Sequence, residues 1–219
     1  MALSKVDYNS INVTAAASKA LKWNSTPNGF ETGDVGGSLT LIKTLTASSS
    51  GTLSFVNGTS DVVLNNTYPI YLFKFINCHP SGDDVKLTFN LSADTGSNYN
   101  VTKTTTAFTA NHAEADTSTE LTYNTSADIA QGTGFQRVAG SSGNDNDQCT
   151  TGELWLFNPS STTFVKHFMI RSSNYEASNY AEDYLIAGYG NTTSAVDAVQ
   201  FKYASGNIDA GTIKMYGVK

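Results

Sequence analysis

Charge is scarce in this chain of 219 residues. Asp, Glu, Lys and Arg together make up 15% of it, against about 25% in an ordinary soluble domain. The 13 basic residues are scattered singly and the net charge is −6. That pattern excludes a surface built to track nucleic-acid phosphates. Long apolar runs are missing too. The N-terminal "MALSKVDYNS" lacks the apolar core of a signal peptide, and no later stretch could span a bilayer as a helix. Synthesis in a cytoplasm is expected, with no membrane partner. The two cysteines, Cys78 and Cys149, permit one disulfide, but in that setting they are predicted to be free thiols. With only three histidines and no Cys or His cluster, no zinc signature can be written.

Thr, Ser, Asn and Gly are abundant, and Tyr and Phe occur eleven times each. Aromatic and β-branched residues favour strands. From Ser38 onward strand patterns recur, separated by Gly, Asn, Asp and Ser. "SLTLIKTLT" alternates Leu39, Leu41 and Leu45 against threonines. "YPIYLFKFIN" is apolar on both faces, which predicts a central strand with Pro69 confined to its start. In "DVKLTFNLS", Val85, Leu87, Phe89 and Leu91 are predicted to face inward, and Lys86, Thr88, Asn90 and Ser92 outward. The following "ADTGSNYN" reads as a turn with Gly96 at positive φ. "VTKTTTAF", "STELTYNTS", "GFQRVAG", "GELWLFN", "TFVKHFMIRSS", "EDYLIAGYG", "DAVQFKYAS" and "GTIKMYGVK" continue the series, and no long amphipathic helix is visible. The fold class expected is all-β: an antiparallel β-sandwich of jelly-roll type, residues 38–219, with the last strand paired inside a sheet.

Residues 1–37 differ. Their apolar residues are isolated and follow no period, and "TAAASKAL" is too short to hold two helical turns alone. They are expected to form an extended arm ending near Gly36-Gly37 and ordered by docking on a partner. Leu21, Trp23 and Phe30 are its large interface anchors.

Chemistry is hard to find. No G-x-S-x-G elbow occurs, and no spacing brings two carboxylates together for sugar hydrolysis. No catalytic residue and no cofactor are expected. In "SSGNDNDQ", Asp145 and Asp147 stand two apart as oxygen ligands for calcium do, but the Gly and Glu of an EF-hand loop do not follow, and a solvated Asx-rich loop accounts for the same residues. The tyrosines of "SSNYEASNYAEDYLIAGYGN" allow a stacking platform for sugar rings, with Tyr175 and Tyr180 as candidate glycan contacts, or equally core or interface packing.

The run "GNDNDQCTTGELWLFNPSSTTFVKHFMIRSSNY", followed by "YLIAGYGNTTSAVDAVQFKYASGNIDAGTIKMYGVK", resembles virion structural proteins of marine tailed bacteriophages, often called tail-fibre proteins. "LSADTGSNYN" and "NGFETGDVGGSLTLIKTLTASSSGTLSF" resemble segments of the same family. The resemblance implies a non-enzymatic β-sandwich in several copies on the virion, assembled in the host cytoplasm. The partners expected are other copies of the chain, as a homotrimer, and proteins of the tail or capsid. A capsid decoration protein and a host-glycan-binding module or glycan hydrolase are the alternatives.

Overall fold

The structure is a computed structural model that describes residues 19–24, 26, 29–33 and 38–219. The chain divides into two units, Met1–Ser38 and Leu39–Lys219. None of the described residues is helical.

In the first unit, β1 (Ala20–Trp23) and β2 (Phe30–Gly33) pair antiparallel, with Ala20 opposite Gly33 and Trp23 opposite Phe30. The Asn24 N–H donates to the Gly29 carbonyl at 3.0 Å and closes the turn. The described part of the arm is thus a hairpin, where the sequence predicts an extended segment. Two four-residue strands carry too little alternation to stand out as a pattern of two. Most of "TAAASKAL" lies outside the described residues.

The second unit contains β3 (Leu39–Thr46), β4 (Leu53–Val56), β5 (Ile70–Pro80), β6 (Val85–Ser92), β7 (Lys103–Ala113), β8 (Thr119–Tyr123), β9 (Gln136–Ser142), β10 (Thr150–Phe157), β11 (Lys166–Glu176), β12 (Tyr180–Gly190), β13 (Ala198–Tyr203) and β14 (Ile208–Val218). All pairings are antiparallel. The twelve strands form one hydrogen-bonded sheet, which the sandwich divides at the β11–β9 step into a large layer, β3-β14-β5-β10-β11-β12-β7-β8, and a small one, β9-β6-β13-β4. The two are stitched by a single register pair, Glu176 opposite Ser142. The fold is therefore an all-β antiparallel sandwich. β14 lies inside the large layer between β3 and β5, and β5, apolar on both faces, is central.

Phe201 of β13 sits at the middle of the core, 5.7 Å from Phe73 and 6.3 Å from Phe89 between ring centroids. Phe89 in turn meets Phe168 edge-on at 5.1 Å. Leu87, Phe89 and Leu91 are fully buried, as their alternation predicts. Two details of phase differ from the sequence reading. Thr88, Asn90 and Ser92 are buried as well, because their polar groups are met on the far side: Thr88 Oγ1 donates to the Lys202 carbonyl and Ser92 Oγ to Asp94. Leu39 and Leu41 are exposed. A bulge at Met215/Tyr216 in the β3–β14 ladder shifts the register, so Leu45 packs on the core while Leu39 and Leu41 point away from it. The four-residue β4, with only Leu53 and Phe55 alternating inward, is too brief to be predicted. Gly96 has φ 76°, as its turn requires.

Candidate interaction surfaces and buried polar sites

On the β1–β2 hairpin, alternate residues share a face. Leu21, Trp23 and Phe30 fall on one side, and Lys22 and Glu31 on the other, where they form an ion pair at 3.4 Å. The Trp23 and Phe30 rings stack at 4.4 Å with 24° between their planes. Trp23 remains 62% exposed and its two companions are also exposed. The three predicted anchors are thus gathered into one apolar face.

The outward face of the large layer carries a second apolar patch. Register places Leu185, Phe108 and Tyr123 side by side across β12, β7 and β8. Phe108 and Tyr123 meet edge-on at 5.5 Å. Leu121 on the edge strand β8 is 80% exposed. The alternation of Leu121 and Tyr123 in "STELTYNTS" is a signal for this face, but it does not tell which side of the sheet is covered.

Between the patch and β5 the same face is charged. Lys74 pairs with Glu153 at 3.6 Å, and the Arg171 guanidinium grips Asp183 through Nη2 at 2.8 Å and Nε at 3.3 Å. These residues line an open groove of about 660 Å³ with Ile76 and Thr151. Each cation there already has a carboxylate, so the groove offers no spare charge to an ion. The Asp183 carboxylate holds the Arg171 pKa above its ordinary value.

The remaining predicted site residues are not brought together. Tyr175 stands opposite Ala181, and Tyr180 opposite Glu176. They therefore lie on opposite faces of the β11–β12 ladder and share no platform. Tyr184 is in the core. Asp145 and Asp147 are exposed in the β9–β10 loop. The Asp145 carbonyl accepts from the Gln148 N–H at 2.9 Å, and His79 Nε2 lies 3.2 Å from the same oxygen. Among the described residues no group of three or more His, Cys, Asp and Glu side chains could hold a metal ion. Cys78 and Cys149 are free thiols, and burial pushes the Cys78 pKa up to about 12.

Polar residues are also packed inside. Where β9, β10, β11 and β12 meet, Asn174 Oδ1 accepts from Ser142 Oγ at 2.6 Å and from Thr150 Oγ1 at 2.7 Å. Asn174 Nδ2 donates to Glu182 at 3.0 Å. Burial raises the Glu182 pKa above the usual carboxylate range. At another place two lysines, Lys103 and Lys166, are fully buried, each opposite Gly190 in its own ladder. Lys166 Nζ donates to the Phe164 and Thr192 carbonyls. Lys103 Nζ donates to Asn90 Oδ1 at 2.5 Å and to the Val101 carbonyl at 2.8 Å. Buried lysines normally have an acidic partner. Among the described residues neither of these has one. The sequence reading places Asn90 outside and gives Lys103 no role, since a polar residue in an alternating strand normally faces water.

Comparison of the chain with family models, curated proteins and solved structures gives no match.

Proposed function

We propose that this chain is a non-enzymatic structural protein of a tailed-bacteriophage virion, an oligomeric tail-fibre or appendage component attached through its N-terminal unit. The observation that supports the reading is the apolar face of the β1–β2 hairpin. Three large side chains stand exposed on one side of an eight-residue sheet, and exposed aromatics of this kind are typical anchors of protein interfaces. The hairpin is too small to be stable alone in water, so burial of that face on another virion protein supplies what it lacks. The outward patch of Leu185, Phe108, Tyr123 and Leu121 then serves contacts between copies, as a homotrimer.

The test is incorporation. Particles are raised with the chain carrying Leu21→Ser, Trp23→Ser and Phe30→Ser, and the purified virions are assayed for the protein. The expected result is a chain that keeps the far-UV circular dichroism of the sandwich but is missing from particles. Incorporation at normal copy number would sink the attachment role. Antibody labelling of wild-type virions then shows whether tail or capsid carries it, and labelling on the capsid shell would replace the appendage reading with that of a decoration protein.

A further inference from the structure

We propose that Lys103 and Asn90 form an intramolecular isopeptide bond, a covalent tie between the two layers of the sandwich. Asn90 belongs to β6 of the small layer and Lys103 opens β7 of the large one. Both are fully buried. The lysine nitrogen lies 2.5 Å from Asn90 Oδ1, shorter than the roughly 2.7–3.2 Å of an ordinary N–H···O bond.

The amide is held in one orientation. Asn90 Oδ1 accepts from the Leu91 N–H at 2.9 Å, and Nδ2 donates to the Tyr99 carbonyl at 2.5 Å and the Thr133 carbonyl at 3.0 Å. With carbonyls on one side and donors on the other, the oxygen and nitrogen cannot be interchanged. The carbonyl carbon is thus fixed beside the amine, an arrangement in which proximity does much of the work of a condensation.

The amine is also prepared. Its partners are carbonyl or amide oxygens, with no carboxylate among the described residues to hold a positive charge, and desolvation lowers its pKa to about 8. A sizeable fraction is therefore the neutral nucleophile near physiological pH. Nζ attacks Asn90 Cγ, and the Leu91 N–H stabilises the negative charge that develops on Oδ1. A proton passes from Nζ to Nδ2, the Cγ–Nδ2 bond breaks, and ammonia leaves. One amine and one primary amide give one secondary amide and ammonia, so no oxidant or co-reactant is needed. Exclusion of water protects the product from hydrolysis.

Mass spectrometry of the purified full-length protein decides the matter. The expected intact mass is one ammonia below that of the sequence. Trypsin should fail to cut after Lys103, leaving a single 87–137 peptide that lacks ammonia. The Lys103→Arg protein, which keeps the charge but cannot form this bond, should show the full mass and normal cleavage elsewhere. A wild-type protein at full sequence mass overturns the proposal. So does cleavage after Lys103, or an ammonia loss that maps instead to a succinimide at Asn28-Gly29 or Asn57-Gly58. None of these readouts depends on the virion reading.

Discussion

Gly152 lies directly opposite Phe75 in the β10–β5 ladder, and the ring occupies the space that a side chain at position 152 would take. A Cβ there would stand 2.6 Å from Phe75 Cε2, 2.5 Å from the Arg171 carbonyl oxygen and 2.7 Å from Ser172 Cα. Two of these neighbours are backbone and cannot swing away. Gly152→Ala should therefore destabilise the sandwich by about 1–3 kcal/mol, the usual cost of overpacking. Urea denaturation measures it, and an unchanged midpoint would show that the ladder gives more easily than its spacing implies.

A second expectation concerns the core. Phe89 is fully buried and touches both Phe168 and Phe201. Phe89→Ala should cost about 3–5 kcal/mol. A loss below about 1 kcal/mol would place the ring outside the core and reverse the phase of β6.

Glu182 makes stability depend on pH. Desolvation lifts its pKa above its ordinary value of 4.5, with Glu176 adding to the rise and Asn174, Arg137 and Lys86 opposing it. The folded state thus holds this proton more tightly than the unfolded state does. The resulting stabilisation is complete below pH 4.5 and is lost as pH rises through the folded value. Glu182→Gln should remove that dependence while keeping an oxygen for Asn174. Denaturation of both proteins between acid and neutral pH should show the wild type falling relative to the variant. Curves that stay parallel would mean that the carboxylate is effectively solvated.

The outward patch yields a prediction about assembly. Leu121→Lys with Phe108→Ser should lower the particle mass seen by light scattering from trimer to monomer, with circular dichroism unchanged. A wild-type protein that is already monomeric at micromolar concentration would remove the trimer, and a double variant that remains trimeric would move the contact to another face.

The legible part of the fold is the part with sustained alternation. β5, β6 and β10 to β14 all fall on segments whose apolar residues repeat over several positions, and Leu87, Phe89 and Leu91 declare their face. What was hidden depended on distant partners. The exposure of Leu39 and Leu41 follows from a bulge in the ladder with β14, which no local pattern records. The burial of Asn90 follows from Lys103, Tyr99 and Thr133, and a polar residue met by three distant groups looks in sequence like any solvated one. The anchors Leu21, Trp23 and Phe30 could be named as the large apolar side chains of the arm, but their common face required the pairing of β1 with β2. Tyr175 and Tyr180 are close in sequence yet divided by the ladder, which pairs Tyr175 with Ala181 and Tyr180 with Glu176.

The place of β14 between β3 and β5 has a consequence for how the molecule is made. β3 and β5 emerge well before the strand that hydrogen-bonds to both, which spans Ile208–Val218. Until it is made, the gap between them stays open and their facing backbone groups have no native partner. The large layer therefore cannot close strand by strand in chain order, and its completion must wait for β14, as slow folding of long-range sheets requires. During that interval β3 and β5 are strands with open edges, exposed to wrong pairing with neighbouring nascent chains.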